Sequence, residues 1–460
     1  MDYTPHTEED IARMLEVLGA GSVQDLFDQV PPSLRLARPL ELPPPMAEVE
    51  VADHVARLSG ANRPTDRLIC FAGGGAYDHY VPAVVRHLAF RGEFATSYTP
   101  YQPEASQGVL GALFEYQTMI CELTGMEVAN ASLYDGASAL VEGVNLAVGA
   151  TGRDTIVVSE AVHPHYRQVL ESLGAGLGYR FITAAARSGT TEAPSLQDAA
   201  CLVLGQPNFF GVLEDLAAAA EAAHGAGALL VVSFDPLSGG VIEAPGAQGA
   251  DVVTGEGQAL GNALNYGGPY LGIFATRREH VRRVPGRLVG ATLDAGGQPG
   301  FVLTLQAREQ HIRREKASSN VCTNQTLMAI AAAVYLAWLG PAGLEELGET
   351  CLSRAHHASG ILSSVPGCSL AFAAPFFKEF VLRVPRCAEA VVAALAEHGY
   401  LVGPALGSLF PRMADCLLVA VTERRGLDEI EGLAKALTEV VGADGGSPAR
   451  HQESGMRYSH

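Results

Sequence analysis

The sequence predicts an α/β fold, with a large domain on a mainly parallel sheet and a smaller C-terminal α/β domain. Three observations carry the prediction. Five short apolar stretches recur between residues 156 and 254: IleValValSer (156–159), ArgPheIleThr (180–183), CysLeuValLeu (201–204), LeuLeuValValSerPhe (229–234) and AspValValThr (251–254). Helical or mixed segments separate them, and such βαβα order builds a parallel sheet with helices on both faces. Asp235 and the segment GlyGluGlyGlnAlaLeuGly (255–261) stand at the C-terminal ends of two of these strands, the edge beyond which open α/β sheets hold ligands. GlyProAlaGly (340–343) closes an apolar helical run, and the strands GluPheValLeuArgVal (379–384) and CysLeuLeuValAlaVal (416–421) follow among helices.

These features set the predicted boundaries. Residues 1–65 form N-terminal helices and an extended Pro-rich arm, 66–340 the large domain, 341–441 the small one, and 442–460 a polar tail expected to be disordered.

Composition narrows the function classes. A formal charge of −19 excludes a nucleic-acid role, which needs a cationic footprint. Eight scattered cysteines without a CxxC spacing imply neither a zinc site nor a disulfide framework, and no metal site is expected. The acidic start MetAspTyrThrProHisThrGluGluAsp is no secretory signal. The longest apolar run, Leu327 to Leu339, falls short of the roughly 20 residues of a membrane span, so no membrane role and a cytoplasmic location are expected. A hydrophobic fraction of 48% fits either a subunit interface or a large Ala- and Val-rich core.

Along the chain, Thr7 before GluGluAsp and an apolar-periodic run predicts a capped helix. A second short helix is expected from Val23 to Val30, stopped by Pro31 and Pro32. LeuGluLeuProProProMet (40–46) reads as an extended arm on a partner or on the main domain, or as a solvent linker. LeuIleCysPhe (68–71) reads as a strand entering a turn at Gly73, Gly74 and Gly75, where the backbone can approach a neighbour closely. Pro100 and Pro103 stiffen a loop displaying Tyr98, Tyr101 and Gln102, suited to a small polar ligand, an interface or plain burial. Val109 to Thr124 is an amphipathic helix stopped by Gly125.

Gly136, Ala137 and Ser138 open a further helix, whose free N–H groups make an anion site. Another helix is expected from Gly211 to His224, and a strand within 267–275. In the basic run 308–320, Arg308, His311, Arg314 and Lys316 would share one helix face, either as an anion site or as an exposed, ion-paired surface.

The central strands suggest a cofactor scaffold. An Asp at one strand end and a Lys beyond a second, about twenty residues on, is how many pyridoxal-phosphate enzymes hold the pyridine nitrogen and the aldehyde. Asp235 is present, but Gln258 and Ala259 occupy the turn where the lysine belongs. The three lysines of the chain, Lys316, Lys378 and Lys435, follow no strand of this region, so the pocket is expected to hold no amine. Gly136–Ala137–Ser138, His163 and Asp235 then read as a relict cofactor site, His163 placed either to stack on a pyridine or as an ordinary loop histidine.

The segments TyrThrProHisThrGluGluAsp (3–10), AlaTyrAspHisTyrValPro (76–82), ThrSerTyrThrProTyrGlnProGlu (96–104), PheGluTyrGlnThrMetIleCysGluLeuThrGly (114–125), AsnAlaSerLeuTyrAspGly (130–136) and LeuGlnAlaArgGluGlnHisIleArgArgGluLys (305–316) resemble, in order, one family. It is that of the α subunits (subunit 1) of two-chain glycine decarboxylase, the P-protein of the glycine cleavage system.

The resemblance implies an aminotransferase-like, fold type I pyridoxal-phosphate scaffold without the Schiff-base lysine, which belongs to a homologous β subunit. It implies an α₂β₂ heterotetramer that decarboxylates glycine and passes the aminomethyl group to the lipoyl arm of H-protein. Pyridoxal phosphate would be bound to the β-subunit lysine, with none covalent in this chain. Carried over, Tyr98, Tyr101 and Gln102 would reach the partner's active site, with Arg308, His311 and Arg313 or Arg314 at or near the same interface. Two other readings stand beside it: a self-sufficient pyridoxal-phosphate enzyme holding its cofactor noncovalently, and a purely structural or regulatory homologue.

Overall fold

A computed structural model describes residues 5–36, 38–65, 67–95, 99–317 and 319–442. Tyr98 and nearly all of the predicted tail, 443–460, lie outside the described residues. The chain divides into two compact units, Met1–Arg63 and Pro64–His460.

The first unit is built from local signals. Helix Glu8–Leu18 starts at Thr7, whose side chain caps the Asp10 N–H while Asp10 reaches back to the Thr7 N–H, and stops at left-handed Gly19. The second predicted helix is a 3₁₀ segment, Val23–Phe27, too short to hold α geometry before the prolines. A helix at Glu48–Gly60, unforeseen because ProProPro masks its entry, follows the extended stretch. No described residue of this unit is buried, and Val17, Leu34, Leu42 and Val49 are each more than 60% exposed.

The second unit opens with β1 (Ile69–Ala72), and then come β2 (Val128–Ala129), β3 (Thr155–Ser159), β4 (Arg180–Ala184), β5 (Ala199–Gln206), β6 (Leu229–Phe234), β7 (Val252–Glu256) and β8 (Gly272–Thr276). The central sheet has the order β2-β8-β7-β6-β5-β3-β4. β4, β3, β5, β6 and β7 are parallel, while β8 and β2 are antiparallel to their neighbours. β3 and β5 are buried throughout, the apolar run of strands covered on both faces.

Helices Gln107–Thr124, Leu216–Gly225 and the first half of Thr326–Ser363 cover one face; Gly136–Thr151 and Pro164–Gly176 cover the other. Helix 216–225 starts later than expected because Asp215, not Gly211, caps it. Thr326–Ser363 is broken at Gly340 (φ 63°), just before Pro341.

A hairpin, β9 (Val289–Leu293) with β10 (Pro299–Leu303), leaves the sheet. It is pinned by buried Gln117, whose Nε2 donates to Val289 O and whose Oε1 accepts from Val289 N, both at 2.9 Å. In the C-terminal part β11 (Ser369–Leu370), β12 (Glu379–Arg383) and β14 (Cys416–Ala420) form an antiparallel sheet, and β13 (Tyr400–Gly403) pairs in parallel with β1. The strand at 69–72, expected in the large domain, therefore belongs to the small one, and Phe71 is buried among Phe380, Leu417 and Val419. A four-residue apolar strand carries no sign of which sheet will recruit it.

The basic run is no continuous helix. It breaks into Gln306–Arg308, Gln310–Arg313 and Arg314–Lys316, with Arg314 at φ 54°. Arg308, His311, Arg314 and Lys316 therefore share no helix face, contrary to the expectation from spacing.

Candidate functional site

The C-terminal ends of the central strands converge on one pocket. His163 follows β3, Asn208 follows β5, Asp235 follows β6, and Glu256 ends β7; Tyr77, Phe209 and Glu379 close the sides. Its cavity is about 70 Å³. Sites that hold a drug-sized ligand span about 300–1,000 Å³.

Contrary to the sequence expectation, the pocket does hold an amine. Lys378, preceding β12, places Nζ 2.8 Å from Asp235 Oδ2, with its side chain 1% exposed. The same ammonium lies 3.0 Å from His79 Nε2 and 3.9 Å from the Tyr77 ring centroid. His79 Nδ1 is 2.6 Å from Glu423 Oε2. Lysine can only donate and the carboxylate only accept, so His79 is neutral, protonated on Nδ1. Burial, then Lys378, holds the His79 pKa below its ordinary value. Burial would raise the Glu423 pKa, but the hydrogen bond from His79 and other donors bring it down to about 2.

Beside this chain, Glu379 accepts from Gly74 N at 2.7 Å and from Tyr77 Oη at 3.0 Å. A methyl group at position 73 would lie 2.0 Å from Glu379 Oε1, the physical need for glycine in that turn. Burial pushes the Glu379 pKa up to about 7.

The predicted helix start at Gly136 is real, capped by Asp135, but the N–H groups of Gly136 and Ser138 are not free. Ser138 N donates to Asp135 Oδ1 at 2.8 Å, and Gly136 N to Glu256 Oε2 at 3.0 Å. Glu256 Oε1 also accepts from Gln258 N and Leu271 N, each at 2.9 Å. Burial raises the Glu256 pKa to about 7 against these three donors. Gln258, in the turn where a lysine was sought, accepts from Tyr77 N through Oε1 and donates to Tyr77 O and Asn262 O through Nε2. The His163 ring stacks on Tyr166 at 4.6 Å, and its Nε2 donates to Gly74 O at 2.7 Å. The residues of this pocket therefore do not fit pyridoxal phosphate: the helix start, the aspartate and the histidine face are each engaged by the protein itself.

A second cluster joins the two loops singled out by sequence. The Tyr101 and His311 rings meet edge to face at 5.7 Å. Arg287, which sequence reasoning missed, sits 5.5 Å from the Tyr101 ring centroid and donates from Nη2 to Tyr101 Oη at 3.4 Å. Its other donors fix it to Asn324 Oδ1 and Cys322 O. Asn324 in turn donates to Ser132 Oγ, in a residue at φ 117°. Nothing in the sequence marked Arg287, and the tertiary fold alone brings it to Tyr101.

Arg308 donates to Val284 O, while its Nε and Nη2, Arg287 Nε, Glu309 Oε1 and Thr99 Oγ1 are buried without a hydrogen-bond partner among the described residues. Orphaned polar atoms at this density ask for a further surface or ligand. Gln102, Arg313 and Arg314 are exposed, and no side-chain hydrogen bond joins them to this cluster among the described residues.

Comparisons with known proteins agree on a family. The family description for the glycine cleavage system P-protein matches residues 1–437. A probable glycine dehydrogenase (decarboxylating) subunit 1 of Carboxydothermus hydrogenoformans is 48% identical over 449 residues, covering 96% of this chain and 100% of the relative. A crystal structure of glycine decarboxylase (P-protein) of the glycine cleavage system, in inhibitor-bound form, matches with a TM-score of 0.87 at 49% identity, covering 96% and 100%. An alanine–glyoxylate aminotransferase of Nostoc shares the fold alone, with a TM-score of 0.57 at 18% identity over 90% and 98% of the two chains.

Proposed function

This chain belongs to the glycine cleavage system P-protein family, and from that premise we propose that it is the subunit of glycine decarboxylase that does not anchor the cofactor. A second, lysine-bearing subunit completes the enzyme in an α₂β₂ assembly. Together they decarboxylate glycine and pass the aminomethyl group to the lipoyl arm of H-protein. A cytoplasmic location for the assembly is part of the same proposal.

The observation that carries this reading is the loop cluster. Arg287 is locked by three acceptors and holds Tyr101 beside His311 on exposed loops, while buried polar atoms of Arg308 and Glu309 have no partner among the described residues. A partner surface brought against these loops would satisfy those atoms and receive a phenol and an imidazole already oriented. Such groups can bind a carboxylate, exclude water and hold the bond to be broken in place. The exposed apolar residues of the first unit supply a second surface for the partner to cover. Electron withdrawal from the decarboxylating carbon is assigned in this proposal to the partner subunit, a reading supported by the engagement of Gly136 N, Asp235 and His163 within this chain.

The test is reconstitution. The chain alone, with added pyridoxal phosphate, should exchange no CO₂ with glycine; mixed with a lysine-bearing partner and lipoylated H-protein it should. Exchange by the chain alone would establish the self-sufficient enzyme instead.

A further inference from the structure

In pyridoxal-phosphate enzymes of this architecture the cofactor offers three handles: an anionic phosphate for a helix start, a protonated ring nitrogen for an aspartate, and an aldehyde for a lysine. In this chain a side chain stands at each.

Glu256 places its carboxylate on Gly136 N, the first residue of a 16-residue helix, and also receives the N–H groups of Gln258 and Leu271. Lys378 puts a cation on Asp235 at 2.8 Å. Gln258, in the lysine turn, spends its amide clamping the Tyr77 backbone. The signs match handle for handle, anion on the helix start and cation on the aspartate. Room is lost as well: a methyl group on Gly136 would lie 2.4 Å from the Tyr166 hydroxyl, and Tyr166 covers a face of His163.

We propose that Glu256 and Lys378 are built-in replacements for the two charged ends of a cofactor, the carboxylate for the phosphate and the ammonium for the protonated ring nitrogen. The chain thereby completes its own pocket and needs no ligand to finish its core. An empty site of this kind would leave a helix start, Asp235 and several N–H groups desolvated without partners, at a cost in stability. Glu256 and Lys378 remove that cost within one polypeptide. The inference rests on the correspondence of this pocket with the cofactor position of the fold, not on the glycine reaction.

Full-length chain and its Glu256→Gly variant are compared for binding of inorganic phosphate and of pyridoxal phosphate, by isothermal calorimetry, by retention of visible absorbance after gel filtration, and by thermal midpoint. Wild-type protein should bind neither, and its midpoint should not move in about 10 mM phosphate. The variant, with the helix start open, should bind phosphate at least about tenfold more tightly than wild type. If Glu256→Gly does not fold, phosphate should rescue its folding, and Glu256→Ala, which also leaves the Gly136 N–H open, should show the same gain. Saturable binding of pyridoxal phosphate or phosphate by the wild type overturns the proposal. So does a folded variant indifferent to phosphate, or an unfolded one that phosphate does not rescue. None of these results bears on the subunit reading, which is decided by glycine turnover with the partner.

Discussion

Replacing Lys378 by methionine tests the buried ion chain most directly. The substitution keeps the length of the stem, so the cavity cost of a large-to-small change is avoided. It removes the cation held 2.8 Å from Asp235 and 3.0 Å from His79, in a side chain that is 1% exposed. Removing one member of a buried pair costs about 3–5 kcal/mol, because the remaining charge is left without its partner. The orphaned His79 Nε2 is a further loss of about 1–3 kcal/mol.

The two losses share one ammonium and do not add. Asp235 is 14% exposed and keeps the Leu237 N–H, so water recovers part of the cost. The expected destabilisation is therefore about 4 kcal/mol, read from the urea midpoint of the full chain. In a double-mutant cycle, Lys378→Met with Asp235→Leu should recover most of it, since both charges are then gone. A Lys378→Met protein within about 1 kcal/mol of wild type, or a cycle that is simply additive, would refute the reasoning.

Three other outcomes follow from the same geometry. Burial raises the Glu379 pKa from 4.5 to about 7, so its contribution is fully present below about pH 4.5 and lost as pH rises through 7; Glu379→Gln should flatten that decline, by about 2 kcal/mol, in thermal midpoints from pH 5 to 8.5. Glu423, brought down to about 2, contributes above pH 4.5 and loses its contribution as pH falls toward 2, so Glu423→Gln should blunt acid unfolding in that window, and an unchanged acid limb would count against the His79 pairing. Tyr101→Phe and Arg287→Ala should each lower glycine turnover of the reconstituted complex about tenfold or more; Tyr101→Phe should do so with the thermal midpoint of the chain unchanged, and full turnover in both variants would favour a purely structural role.

What could be read directly from the sequence was whatever depends on neighbours along the chain. The strands 156–159, 201–204, 229–234 and 251–254 announce themselves because a parallel strand buried on both faces is written as a run of apolar residues. Thr7 with Asp10 and Gly125 mark helix ends because capping is satisfied within four residues. Asp235 at a strand end, with a second strand end beyond it, is likewise a local fact, and it sufficed to point to a cofactor-enzyme scaffold.

Tertiary structure decided the rest, since a contact between residues far apart in sequence leaves no local trace. Lys378 lies 143 positions from Asp235 (378 − 235), and β12 carries it into a pocket that was expected to contain no amine. The strand at 69–72 joins the C-terminal sheet because β13 presents a parallel edge to it, which four apolar residues cannot foretell. The basic run breaks at Arg314 despite helical spacing, and Arg287, unmarked by any motif, becomes the residue that orients Tyr101. Local chemistry chose the elements; long-range packing and the pairing of buried charges chose which of them meet.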